Sequence, residues 1–165
     1  MFFLECLCLV MLFLVANVVS DCFDSVIAGR EGTEPFLPLK RFYKYIGGTL
    51  RAKKGQLIEI GGVEDHIHIL AGLSPTFAVS DVIRDVKASS SKWMREECDI
   101  ESFQWQKGFG TFTASYDRVD AIRNYIRNQK EHHKTKTFQE EYIEFLERHG
   151  IEFQLEYLFE GEHAG

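Results

Sequence analysis

Between residues 7 and 19 the chain reads LCLVMLFLVANVV, apolar at every position except Asn17. Such a run is short for a bilayer span. Its Val, Leu and Phe content suits a buried strand. It also has the character of a secretory leader, with Val18 and Ser20 ahead of Asp21 as a cleavage site. Against that reading, the preceding residues include Glu5 and no Lys or Arg, the wrong charge for a leader.

Beyond this run the pattern changes. Residues 23–37, with Gly29, Gly32 and Pro35, read as loop. Pro38 opens a helix through about Lys53, with Leu39, Phe42, Tyr43 and Ile46 as its apolar stripe, weakened by Gly47 and Gly48 and ended by Gly55. Gln56–Ile60 alternates as a strand, Gly61-Gly62 is turn chemistry, and His66–Leu73 is a second strand, so the two form a hairpin. A long helix follows from about Val79 to Glu97, with Val79, Val82, Ile83, Val86 and Trp93 inward. Phe103–Trp105 and Phe109–Ala114 are strand material. Ser115 is placed to cap a helix to about His133, with Val119, Ile122 and Ile126 inward. Thr137 and Glu140 form a capping-box pattern before a last helix to Arg148, which Gly150 stops. With the apolar N-terminal run as first strand, the order is strand, helix, strand, strand, helix, strand, helix. That is an α+β, ferredoxin-like split βαβ plan: an antiparallel sheet with helices on one face, plus a C-terminal helix. The plan hosts many functions and decides no chemistry.

Length and composition fit one ordinary globular domain: 165 residues, 45% hydrophobic and 27% charged. The net charge of −6 argues against a nucleic-acid binder only as an average. Residues 1–39 carry one basic and five acidic side chains, residues 40–95 ten and five, residues 96–137 seven and seven, and residues 138–165 one and eight. A basic middle and an acidic tail are compatible with a local phosphate-binding face, and equally with solvated surface charge. Cys6, Cys8, Cys22 and Cys98 contain no CxxC pair, so neither a metal knuckle nor a disulfide framework is indicated.

Two segments carry candidate chemistry. In EDHIHIL, residues 64–70, strand alternation points His66 and His68 to one face and Ile67 to the other. Two imidazoles so placed can hold a divalent metal, with Asp65 available to orient one of them. Two core histidines would give the same pattern. In NYIRNQKEHH, residues 124–133, Tyr125 and Gln129 fall four apart on a predicted helix and share its face. Gln129 offers a carbonyl oxygen to a hard cation and Tyr125 a phenolic nucleophile. An amphipathic helix with a half-buried tyrosine is the competing reading. His132 and His133 are read as surface residues.

Together these blocks resemble a known family. GGVEDHIHIL, the KASSSKW run, FQWQKGFGTFTAS and YIRNQKEHH followed by FQEEYIEFLERHGIEF occur in the order found in the HUH single-tyrosine transposases, the REP-associated tyrosine transposase type in particular. The resemblance covers roughly residues 36–159. It implies a transposase domain at 36–150, an atypical segment at 1–35 and an acidic tail at 151–165. It further implies a divalent metal, Mg2+ or Mn2+, held by His66, His68 and Gln129, and Tyr125 as the nucleophile that forms a 5′-phosphotyrosine link. The implied partners are hairpin-containing single-stranded DNA and a second copy of the chain, with no small-molecule cofactor and a cytoplasmic location. Histidine-rich ligation would also suit Zn2+ or Ni2+, so the ion is named by the family more than by its ligands.

Arg84, Lys87, Ser91 and Lys92 are candidates for phosphate contact. Trp93 or Trp105 could stack on an unpaired base, or pack in the core. The chain departs from the family after its first strand, where a basic F-S-T-K-like run is usual: in residues 1–35 only Arg30 is basic. The family sheet still needs a first strand beside the one carrying His66 and His68, and residues within 6–19 are expected to supply it. Two other classes stay open. One is an inactive or domesticated nucleic-acid-binding module of the same fold. The other is a secreted metal-binding protein, suggested by residues 1–20.

Overall fold

The computed structural model describes residues 8–17, 37–63, 66–106 and 108–158. The loop at 23–36, the leader cleavage site at 18–21 and Asp65 lie outside the described residues. The chain divides into two units, Met1–Arg127 and Asn128–Gly165.

In the first unit the apolar run forms strand β1, Cys8–Asn17. Helix α1 is Leu37–Ala52, strands β2 and β3 are Gln56–Gly62 and His66–Leu73, and helix α2 is Val79–Cys98. Two short strands follow, β4 at Gln104–Trp105 and β5 at Gly110–Thr113. A 3-10 turn at Tyr116–Arg118 leads into helix α3, Val119–Arg127. The sheet order is β2-β3-β1-β4, with β5 also on β1, and every pairing is antiparallel. This is the ferredoxin-like order. β1 occupies an interior position: its residues 8–15 pair with β3, and its other edge takes β5 at Val10–Phe13 and β4 at Ala16–Asn17. The expected first strand is therefore present within 6–19, and no helix among the described residues is long and apolar enough to cross a membrane.

Alternation sorts β3 into two faces. Ile67, Ile69, Ala71 and Leu73 join Val10 of β1 in a core closed by Phe42, Ile46 and Leu50 of α1 and by Val82, Ile83, Val86, Trp93 and Met94 of α2. These helical positions recur every three or four residues, so one stripe of each crossover helix is buried. His66, His68 and Leu70 point to the other face, which α3 covers at β2 and β3. All eight residues of β3 are consequently buried.

β2 reaches both layers through a bulge. Its register shifts between Leu57 and Glu59, so the extra residue, Ile58, lets Leu57 and Ile60 both face the core while Glu59 and Gly61 face α3. Glu59 takes Arg127 at 2.7 Å and Arg123 at 3.5 Å. Gly61 lies under the helix: a Cβ there would stand 2.8 Å from the Ile126 carbonyl oxygen.

The helix expected to run from Ser115 to about His133 is broken. Helix α3 ends at Arg127, Asn128 leaves helical geometry at φ −97° and ψ 15°, and a short helix α4 spans Gln129–His132. Asn competes with helical hydrogen bonding, which suits it to the junction. Ser115 makes no side-chain cap; its hydroxyl instead donates to Asp117 and holds that carboxyl below its usual range.

In the second unit, helix α5 at Phe138–Arg148 starts as its sequence says. Thr137 Oγ1 accepts from the Glu140 amide, and the Glu140 carboxylate accepts from the Thr137 amide. Gly150, at φ 63°, follows the helix end. A last turn, α6, spans Leu155–Leu158.

Candidate metal and nucleophile centre

The two histidines of the first unit lie on the α3 side of the sheet. His66 and His68 are buried, with ring centroids 4.8 Å apart and planes nearly perpendicular. Their ligating nitrogens lie within 4.8 Å of one another. Backbone pairing fixes both rings: His68 is opposite Phe13 of β1 and Gly61 of β2, and His66 opposite Val15. Since Gly61 has no side chain, α3 descends onto the sheet beside His68. Tyr125, half-buried on that helix, then sets its ring 5.5 Å from the His68 ring in an edge-on contact. Two imidazoles from one rigid strand can hold a divalent ion, and the phenol of Tyr125 stands beside them.

Gln129 belongs to the second unit and is buried there in α4. Its Oε1 lies 2.8 Å from His133 Nε2. His133 Nε2 is also 3.5 Å from Glu141 Oε2, and His132 Nε2 is 3.6 Å from Glu141 Oε1. The surface reading fits His132, whose side chain is 49% exposed, and fails for His133, at 12%. Glu141, buried on α5, was not singled out from the sequence. Its signal was position: it falls three residues after Phe138 and four before Phe145, in line with that helix's apolar stripe. Tyr125 and Gln129 do not share one helix, because Asn128 interrupts it.

The helix α2 candidates divide by exposure. Arg84 is exposed and paired with Asp81 at 2.8 Å, and Lys92 is exposed with Glu96 at 3.7 Å. Ser91 is partly buried. Lys87 turns to the loop between β4 and β5, donating to the carbonyls of Gln106 at 2.8 Å and of Gly108. Burial pushes the pKa of its ammonium down. Both tryptophans pack inside. Trp93 lies against Phe42 at 5.6 Å, and Trp105 against Phe103 at 5.1 Å with its indole N–H donating to Ser90 Oγ at 2.9 Å. Base stacking by either ring is thereby replaced by core packing.

A ferredoxin-like antiparallel sheet that offers two histidines from one strand toward a tyrosine-bearing helix is the architecture of the HUH single-tyrosine proteins. Residues 38–129, more than half of the chain, match the family described as transposase IS200 like, and the chain belongs to that family. Among solved structures, it resembles the REP-associated tyrosine transposase bound to a REP hairpin, at 11% identity and TM-score 0.52, over 81% of this chain and 72% of that one. A crystal structure assigned to a transposase of Deinococcus radiodurans R1 aligns at 16% identity and TM-score 0.49, over 73% of this chain and 89% of that one. No curated protein matches the sequence.

Proposed function

We propose that this protein cuts and rejoins single-stranded DNA through a covalent link between Tyr125 and a DNA 5′-phosphate. The observation that carries the reading is the Tyr125 ring set 5.5 Å from His68, in a chain of the IS200-like family. Tyr125 Oη attacks phosphorus, the bond from phosphorus to the 3′-oxygen breaks, the phenolic proton is lost to solvent, and the departing oxygen takes up a proton as a 3′-hydroxyl. Rejoining is the reverse: a 3′-hydroxyl attacks the phosphotyrosine and Tyr125 leaves. The link conserves one phosphodiester-like bond throughout, so no nucleotide cofactor is consumed.

A phenol of pKa about 10 is a weak nucleophile at neutral pH. A divalent ion, Mg2+ or Mn2+ in this reading, would when bound supply positive charge near the scissile phosphate. His66, His68 and Gln129 are its proposed ligands. β3 holds the first two in fixed rotation, and the Gly61 contact holds Tyr125 at their side. Exposed Arg84 and Lys92, with Ser91, are proposed to meet the DNA backbone. The favoured substrate is hairpin-containing single-stranded DNA, by analogy with the hairpin-bound neighbour. A homodimer acting on DNA in the cytoplasm completes the proposal.

The test is incubation of the protein with single-stranded hairpin DNA and Mg2+, resolved on a denaturing gel. A covalent adduct is expected with the parent protein and none with Tyr125→Phe, which keeps the ring and hairpin binding. Undiminished adduct in that variant sinks the assignment. Binding without any adduct from the parent would leave a nucleic-acid-binding module of the same fold.

A further inference from the structure

Within Asn128–Gly165 three different donor atoms lie next to one another, with His133 between Gln129 and Glu141. Gln129 supplies an amide oxygen, His133 an imidazole nitrogen and Glu141 a carboxylate oxygen, with separations of 2.8 Å for the first pair and 3.5 Å for the second. The local fold brings them together. Gln129 and His133 are one helical turn apart, with the His133 amide bonded to the Gln129 carbonyl at 2.9 Å. The capping box fixes where α5 begins, and so fixes Glu141 on its buried side.

We propose that Gln129, His133 and Glu141 form a divalent-cation site built wholly within the second unit, with Glu141 as its anionic ligand. The inference rests on Gln129 as a metal ligand in that reading and adds two ligands beside it. Neighbouring donors around one octahedral ion, each at about 2.1 Å, lie about 3 Å apart. The two separations, 2.8 Å and 3.5 Å, bracket that spacing. Charge points the same way. Gln129 and His133 are neutral donors, whereas Glu141 brings an anionic oxygen of the kind that hard Mg2+ and Mn2+ prefer over neutral nitrogen. A carboxylate 4% exposed at its side chain is costly to keep charged unless cations or hydrogen-bond donors face it. His132 and His133 face it already, and a divalent ion there would serve the same need more strongly.

The test is Mn2+ binding to the full chain, followed by the paramagnetic resonance signal of the free ion, with no DNA present. Glu141→Gln keeps size and hydrogen bonding but removes the charge. It is expected to weaken Mn2+ binding at least about tenfold, the scale set by changes around metal ligands, while the melting temperature in EDTA stays near that of the parent. His133→Gln should weaken binding severalfold, and Glu141→Asp should retain most of it. A carboxylate that only holds the fold together would reverse the pattern, lowering the melting temperature in EDTA and leaving Mn2+ affinity unchanged; that result overturns the inference. Should Glu141→Gln not fold, hydrogen exchange of the parent decides. Added Mn2+ is expected to slow exchange across Phe138–Arg148, and no slowing overturns the inference. Failure here is separable from failure of the proposed reaction. Intact Mn2+ affinity in Glu141→Gln beside a Tyr125-dependent adduct removes only this inference, whereas no Mn2+ binding by the parent, with adduct formed in EDTA, removes the metal from both.

Discussion

At the scale of single residues, Gly61 is as decisive for the centre as the residues that would do chemistry. It faces the same side of the sheet as its register partner His68, and a methyl group there would meet the Ile126 carbonyl at 2.8 Å. Gly61→Ala is expected to lift α3, cost about 1–3 kcal/mol as an overpacked contact, and slow adduct formation by displacing Tyr125. Urea unfolding and single-turnover adduct kinetics would read the two effects separately. A normal adduct rate would show that helix position is not critical. The histidines make a second prediction. His66→Ala and His68→Ala should each abolish cleavage, as should EDTA on the parent, and cleavage that survives EDTA would take the metal out of the mechanism. The paired histidines were legible in the sequence because strand alternation is strict and Ile67 between them declares the core side. Glu141 and His133 were not, because charged and polar side chains default to solvent and only packing reveals which are enclosed. The tryptophans show the same limit: nothing local told Trp105 to seek Ser90.

At the scale of elements, boundaries were legible where turn or cap chemistry marks them. The start of α5 carries such marks in Thr137 with Glu140, whereas Gly61-Gly62, read as a turn, extends β2 and pairs with His68 and Ile67. The break at Asn128 carries neither Gly nor Pro, and the stripe Val119, Ile122, Ile126 gave no reason to stop there. The bulge at Ile58 was likewise invisible, since one extra residue in a short strand reads as ordinary alternation. Removing the cap oxygen in Thr137→Ala should cost about 1 kcal/mol and speed amide exchange in the first turn of α5; unchanged exchange would show that neighbouring packing alone holds the helix start. The cap also has a pH signature. Hydrogen bonds from the Thr137 amide and hydroxyl hold the Glu140 carboxyl below its usual range. A depressed folded pKa means this stabilisation is fully present above the unfolded value of about 4.3 and is lost as pH falls through the lower folded value. Protection of the amides in that turn, taken relative to their intrinsic exchange rate at each pH, should therefore fall in acid in the parent, and less so in Thr137→Ala.

At the scale of the whole molecule, the apolar run at the N-terminus is a structural necessity. β1 is paired along both edges, to β3 on one side and to β4 and β5 on the other. Its loss would leave β4, β5 and one edge of β3 without β1 as a partner, at roughly 1–3 kcal/mol for each buried polar group left unsatisfied. Several such losses reach the about 5–15 kcal/mol that holds a typical domain folded. Deleting residues 1–20 is accordingly expected to give an insoluble or unfolded product; a soluble, folded truncation by circular dichroism would refute this. The order of strands was readable because each alternating or apolar run had a helix or a turn between it and the next. What the family departure obscured was composition: β1 carries no basic flank to advertise its kinship, and only its pairing does so.

The same interior strand sets a problem of timing. β1 ends at Asn17, its first partner begins at His66, and β5 begins at Gly110. A ribosome adding about 5–20 residues per second therefore makes β1 roughly 5–20 seconds before the strand that closes its second edge. For that interval the stickiest segment of the chain waits without its full company, and long-range pairings of this kind fold slowly in any case. The yield of native protein in a cell is thus a contest between β5 arriving and another nascent copy of β1 arriving first, a contest settled by synthesis rate, temperature and chaperone supply.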